Sequence, residues 1–394
     1  MVIPGFFFAK VPPIHFGTGK LQQLPKLIRE FKGKTVLLVT GGKSLEGSGQ
    51  LDAIASLLSE SSIIHHRVLC AGEPTTSEID RICAEYRQSA IDVVVGIGGG
   101  SAIDAGKAIA AMLPHNNSIF DHLEGVGRNI PHSGVKVPYI AIPTTSGTGG
   151  EVTKNAVISE VGENGYKKSL RHDNFIPDAV IVDGKLLTSC PRHITAACGM
   201  DAFTQLLEPY LSPTASPLSD AIALSGLEAI ADNLLLACGE GAEDVLVREG
   251  MAYASLCSGI ALANAGLGIV HGLASPIGGF FPIPHGVICG TLMAAALRAN
   301  WQALQLRQPD SPAVAKMAHL GQLLCQESGK SKVYYCDALV AILEEWTEQL
   351  NLPKLGDYGI RSDDLNKILD HNHNRNNPIE LSRDEIRAFV EKRI

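Results

Sequence analysis

The nine cysteines of this 394-residue chain include no Cys-x-x-Cys pair. Scattered at positions 70, 83, 190, 198, 238, 257, 289, 325 and 336, they suit neither a disulfide framework nor a zinc finger and read as reduced, buried thiols. No basic run or patch is present and the formal net charge is -8, which argues against nucleic acid or an anionic membrane as partner. No stretch of 18 uninterrupted apolar residues occurs, and the opening ten residues carry only a short apolar run without a basic n-region. Neither a spanning helix nor a secretory leader is expected, so the expected compartment is cytoplasmic and the expected partner a small molecule. Internal repeats and low-complexity tracts are also missing. With 45% hydrophobic and 19% charged residues, the chain lies outside the regime of disorder and is too long for one compact core.

What is present is an alternation of textures. Short β-branched runs at 35–39, 63–69, 91–95, 139–142 and 179–182 alternate with longer amphipathic stretches. Strands that alternate with helices and are apolar throughout predict a parallel sheet covered on both faces. After Pro191 the chain turns to long alanine- and leucine-rich stretches at 219–238, 245–263 and 334–350. The expected architecture is an α/β, Rossmann-like N-terminal domain with a mostly parallel sheet over residues 1–186, followed by an all-α C-terminal domain over 187–394. Near the end, Ser382-Arg-Asp-Glu385 has the form of a helix-start capping box.

Residues 96–107 read Gly-Ile-Gly-Gly-Gly-Ser-Ala-Ile-Asp-Ala-Gly-Lys, directly after the 91–95 run. This is neither the Gly-x-Gly-x-x-Gly fingerprint nor the Walker loop. Gly98, Gly99 and Gly100 lack side chains, so the backbone can bend tightly and present bare N–H groups to an anion at the positive end of the following helix. Ser101 adds a hydroxyl donor and Lys107 a cation two turns further in. The bland alternative is an ordinary strand-to-helix turn.

The pattern Gly-Gly-Gly-Ser-x-x-Asp-x-x-Lys resembles the signature of the iron-containing (group III) alcohol dehydrogenase family, which shares its fold with glycerol dehydrogenase and dehydroquinate synthase. Pro-Thr-Thr-Ser-Gly-Thr-Gly-Gly-Glu-Val-Thr at 143–153 is similar to the family's second nucleotide-contacting loop. Gly-Met-Asp-Ala-Phe-Thr-Gln at 199–205 is similar to its first metal-site helix, and the segment from His271 to His285 to its second metal segment. With Ile14-His-Phe-Gly17, the likeness covers nearly the whole chain. It implies an NAD(P)-dependent alcohol dehydrogenase or aldehyde reductase, with a divalent metal, iron or zinc, assisting hydride transfer to or from a small alcohol or aldehyde. Asp104, Thr144, Thr145, Thr148, Asn155 and Lys167, or its neighbour Lys168, would line the nucleotide. Asp201, His271 and His285 would be metal ligands, with His271 and His285 also the catalytic groups.

Two positions depart from the family pattern. Gln205 stands where a further imidazole ligand is expected, and Ser275 where a proton-shuttling histidine often stands. Asp201 and Gln205 lie four apart and share one helical face, but a carboxamide oxygen is a weaker donor than imidazole. Gln205 either completes the metal site or hydrogen-bonds a neighbouring helix. One carboxylate and two imidazoles still suffice for a catalytic zinc with an open position. Without metal, His271 or His285 would serve as a general acid-base group.

After the 35–39 run the chain reads Thr40-Gly41-Gly42-Lys43-Ser44, with no carboxylate where an NAD-preferring enzyme usually holds the adenosine ribose. Gly41, Gly42, Lys43 and Ser44 offer amides, a cation and a hydroxyl to a 2′-phosphate, so NADP(H) is expected ahead of NAD(H). The alternatives are a metal-independent maleylacetate reductase-like enzyme, a dehydroquinate synthase-like lyase and a nucleotide-binding relative without turnover; few clustered basic residues in the second half count against the lyase. Phe203, Phe280, Phe281 and Pro282 are either apolar pocket walls or core. The strand-like Phe6-Phe-Phe-Ala9 would be an exposed apolar edge in a monomer, and the resemblance implies a homodimer through this part. The polar 371–378 stretch reads as a solvated loop despite its His-x-His, and the resemblance implies that this tail passes near the cleft.

Overall fold

The computed structural model describes residue 3, residues 5–372 and residues 375–394, with the side chains of Lys43 and Ser44 outside that description. The strands are β1 (Ile14–Phe16), β2 (Thr35–Thr40), β3 (Ile64–Leu69), β4 (Val93–Gly98), β5 (Tyr139–Pro143), β6 (Asn155–Glu160), β7 (Tyr166–Arg171) and β8 (Ala179–Val182). Six of them form one sheet in the order β1-β8-β5-β4-β2-β3, and every pairing in it is parallel. Beyond residue 187 the described residues form helices and connecting turns but no strand. The molecule is a Rossmann-like α/β region followed by a helical one.

The central strands β2, β4 and β5 are apolar because helices cover both of their faces. Strand β3 departs from that expectation. It sits at the sheet edge, its His65, His66 and Arg67 are polar, and Ile64 and Leu69 are exposed. The β6–β7 antiparallel hairpin has no counterpart in the expected strands, although Asn164-Gly165 between two alternating runs is a hairpin signal. At the N-terminus, Phe6 to Ala9 forms no strand. Instead the Ala9 amide donates to Asn264 Oδ1 at 2.7 Å, so this segment docks on the end of a C-terminal helix, leaving Phe6 and Phe7 exposed.

The hydrophobic core falls into two clusters. One is built on the sheet around Val36, Val94 and Ile142, the other among the helices around Met200, Leu273 and Trp301. Phe203 belongs to the second, fully buried and edge-on to Trp346 with centroids 5.6 Å apart, so it is core and not a pocket wall. The Arg192–Leu211 helix is buried around almost its whole circumference from Thr195 onward, the pattern of a central helix. It brings Asp201, Gln205 and Glu208 inside with it. The final helix, Arg383–Glu391, starts with the expected capping box between Ser382 and Glu385. All nine cysteines are free thiols, with Cys198 and Cys325 partly accessible and the others buried. One described helix, Val245–Ala265, is long and apolar enough to cross a bilayer, and most of it packs inside the molecule.

Register decides where the loops converge. Thr40 lies opposite Ile97, and Gly98 opposite Pro143, so β2, β4 and β5 end side by side. From β2 the chain steps outward to β3, whereas from β4 it steps the other way to β5. The reversal between β2 and β4 is a topological switch point, where open parallel sheets leave a crevice for ligands at the carboxyl ends of their strands.

Candidate active site

The glycine turn opens into that crevice. Gly98 has φ +155°, and a Cβ there would stand 2.7 Å from Ala102 Cβ and 3.0 Å from the Gly41 nitrogen. Only glycine allows the two loops to touch. Gly99 precedes the Gly100–Met112 helix with extended backbone and no side chain capping it, which leaves the first helical amides for a ligand. The threonines of the 143–153 loop close over the turn: a Cβ on Gly99 would lie 3.3 Å from Thr145 Oγ1, and one on Gly100 3.0 Å from Thr148 Oγ1. The Thr144 amide donates to the Gly98 carbonyl at 2.8 Å. The structure thus brings together Gly41, Gly98, Gly99, Gly100, Ser101, Thr144, Thr145 and Thr148. Gly42 is exposed beside them, and the Lys43 and Ser44 side chains lie outside the described residues.

Lys107 is not part of this cradle. Its ammonium is buried and donates to the Gly150 carbonyl (2.7 Å), Thr153 Oγ1 (3.1 Å) and the Asn155 carbonyl (2.8 Å), and burial pushes its pKa down to about 8. With every donor spent on the loop, it staples the helix to the start of β6 and offers no charge to a phosphate. Asp104, one turn earlier, has its carboxyl pushed up by burial to about 6. The Asn155 amide is turned along the hairpin toward Ser169 Oγ at 3.4 Å. Alternation along β7 separates the two adjacent lysines: Lys167 pairs with Glu73 and bears on His285, while the Lys168 ammonium lies near Gly125.

Across the crevice, Asp201, His271 and His285 converge. His271 Nε2 is 3.4 Å and His285 Nε2 3.7 Å from Asp201 Oδ1, and the two rings are 5.5 Å apart. Asp201 Oδ1, His271 Nε2 and His285 Nδ1 are buried without a hydrogen-bond partner. Two side chains absent from the sequence expectations complete the cluster. Glu208 accepts from His271 Nδ1 and from the Val270 amide, each at 2.7 Å, and Cys289 Sγ lies 3.6 Å from His285 Nε2. Both were visible as helical spacings, since Glu208 is seven residues after Asp201 and Cys289 four after His285. With its Nδ1 proton given to Glu208, a neutral His271 aims the Nε2 lone pair at a carboxylate oxygen. Two acceptors facing each other at that distance call for a cation or a proton between them.

The electrostatics follow from this crowding. Burial disfavours the imidazolium of His271, but Cys289, Asp201 and Glu208 outweigh it and hold its pKa well above the ordinary histidine value. His285 goes the other way, pushed down to about 4 by burial with Lys167 nearby. Burial also opposes ionisation of Asp201, and the neighbouring imidazoles overcome it and lower its pKa. Gln205 Nε2 donates to the Thr148 carbonyl at 2.5 Å and to Ser258 Oγ at 3.0 Å, which commits the amide nitrogen and not the oxygen that a metal would take. Ser275 Oγ donates to the Lys167 carbonyl at 3.1 Å. Phe280 lies under the Lys367 ammonium at 4.0 Å and against the exposed His371; His373 is outside the described residues. The tail packs on the start of the Ile269–Phe280 helix, where Asn377 Oδ1 accepts from the Ile269 amide at 3.4 Å.

The glycine cradle and the carboxylate–imidazole cluster are joined through one side chain, Gln205, which reaches from the Asp201 helix to the nucleotide-type loop. Residues 12–184 match the description "Iron-containing alcohol dehydrogenase" and residues 195–394 "Fe-containing alcohol dehydrogenase family, C-terminal". The chain is 34% identical to Long-chain-alcohol dehydrogenase 1 of Geobacillus thermodenitrificans, over 91% of this chain and 88% of that one. It is 31% identical to NADPH-dependent butanol dehydrogenase of Clostridium saccharobutylicum, over 96% and 95%. A crystal structure of 1,3-propanediol oxidoreductase superposes with TM-score 0.88 at 29% identity, covering 99% of this chain and all of that one. The chain belongs to the iron-containing alcohol dehydrogenase family, oxidoreductases that bind a nicotinamide dinucleotide and a divalent metal.

Proposed function

We propose that this protein is an NAD(P)-dependent alcohol dehydrogenase and aldehyde reductase acting on a small alcohol or aldehyde, using NADP(H) ahead of NAD(H). The observation that carries it is the Asp201–His271–His285 cluster, tied through Gln205 to the loop over the glycine turn, with Asp201 Oδ1 and His271 Nε2 3.4 Å apart and neither in a hydrogen bond. The bare helical amides after Gly99 and the hydroxyls of Ser101, Thr145 and Thr148 suit a pyrophosphate. The absence of a carboxylate after β2 favours a 2′-phosphate, and the Clostridium relative is NADPH-dependent by name. Two units, residues 1–186 and 187–394, would then supply the dinucleotide side and the metal side respectively.

Asp201, His271 and His285 would hold a divalent cation whose Lewis acidity acidifies the alcohol, while the nicotinamide accepts the hydride. The chain's own part is positioning. Glu208 keeps His271 in the tautomer that points Nε2 at Asp201. Gln205 sets the spacing between that helix and the Thr148 loop, and Lys107 clamps the loop from behind. Elemental analysis followed by an aldehyde panel with each reduced cofactor tests this reading. The expected result is one divalent ion per chain, faster oxidation of NADPH than of NADH, and loss of turnover with retained NADPH binding in His271→Ala. Undiminished activity in metal-free protein would defeat the metal-assisted mechanism.

A further inference from the structure

The family pattern provides an imidazole where this chain has Gln205, and the Gln205 amide nitrogen is committed to the Thr148 carbonyl and Ser258. Another side chain faces the cluster with a stronger donor atom. Asp201, His271, His285 and Cys289 each offer one donor atom, all within 4.8 Å of one another. We propose that Cys289 Sγ is the fourth protein donor of this metal site, and that the Asp, His, His, Cys set selects zinc over iron. The inference rests on the reading of the cluster as a metal centre.

Three observations support it. Cys289 is fully buried on the His285–Arg307 helix, one turn from His285, so the helix itself aims imidazole and thiol to the same side. Three of the six donor–donor separations approach those of a coordination polyhedron: with zinc–sulfur bonds of about 2.3 Å and zinc–nitrogen or zinc–oxygen bonds of about 2.0 Å, a tetrahedral ion sets N and O about 3.3 Å apart and N and S about 3.5 Å apart. The observed Asp201 Oδ1–His271 Nε2, Asp201 Oδ1–His285 Nε2 and His285 Nε2–Cys289 Sγ distances are 3.4, 3.7 and 3.6 Å. Finally, Asp201 and His271, with side chains 1% and 7% exposed, aim unpartnered atoms into the same space. A thiolate in that space is a soft donor, which favours zinc, whereas a carboxamide would have made the site harder. The thiol proton leaves as the metal binds, so loading releases one proton more from wild type than from a variant without the thiol.

The test uses the full-length protein stripped by chelation and reloaded with cobalt(II), whose thiolate bond shows as a charge-transfer band in the near ultraviolet. Wild type is expected to bind one cobalt per chain and to show that band. Cys289→Ser is expected to bind cobalt without the band and to lose zinc affinity by roughly 10- to 100-fold in chelator competition, on the scale of perturbed metal sites. Circular dichroism melts of the serine and alanine variants separate a ligand effect from misfolding, and the wild-type spectrum stands without either variant. Cobalt bound at one per chain without a charge-transfer band in wild type, or a band that survives in Cys289→Ser, overturns the assignment of Cys289 alone. Failure of wild type to bind cobalt or zinc at all overturns the metal reading of the site, and this proposal with it.

Discussion

At the scale of single residues, metal binding depends on His271 giving up its Nε2 proton while keeping the one on Nδ1. Glu208 decides it, since one carboxylate oxygen takes the Nδ1 proton and the other the Val270 amide. In Glu208→Gln the carboxamide oxygen can keep the Val270 amide, which turns its NH2 toward Nδ1. Two donors then oppose each other, and His271 is driven to carry its proton on Nε2, facing Asp201. Metal affinity is expected to fall roughly 10- to 100-fold, as when other orienting partners of ligand histidines are removed. Chelator competition with zinc measures it; an unchanged constant would mean that His271 is held by packing. The spacing from Asp201 to Glu208 was readable as one helix face, but its partner lies 63 residues away, and no local pattern names a contact of that range.

At the scale of elements, the strand–turn–helix unit works because side chains are absent on one side and threonines are present on the other. Gly100→Val would push branched methyls into Thr148, whose Oγ1 already lies 3.0 Å from where a Cβ would be. Overpacking of this kind costs about 1–3 kcal/mol, and the displaced loop no longer presents its hydroxyls over the helical amides. The variant is expected to melt at lower temperature and to lose at least an order of magnitude in NADPH affinity, read by fluorescence titration. Wild-type affinity in a destabilised protein would remove the turn from the cofactor site. The turn was legible in the sequence because glycine and threonine act through their own small size. Lys107 was not: its cation pointed to a phosphate by analogy, and only the fold shows three loop oxygens surrounding it.

At the scale of the whole molecule, the N-terminal segment stands out. Phe6 and Phe7 are 47% and 84% exposed, and the backbone there pairs with no strand of its own sheet. Apolar chain in that state is a template for pairing with another copy. Light scattering is expected to give twice the 41.8 kDa chain mass, and a Phe6→Ser, Phe7→Ser double variant is expected to return the monomer. A monomer at micromolar wild-type protein would refute the homodimer.

Periodicity and glycine placement by themselves determined the alternating α/β half, the helical half and the phosphate-type turn, since these rest on local propensity and short spacings, whereas Asp201, His271 and His285 were singled out by the family resemblance of the segments that carry them. The fourth donor atom, the orienting carboxylate, the task of Gln205 and the burial of Phe203 were decided only by tertiary structure. Each is set by which helices pack around the Arg192–Leu211 helix, and burial and long-range register are properties of that packing, not of any segment within it.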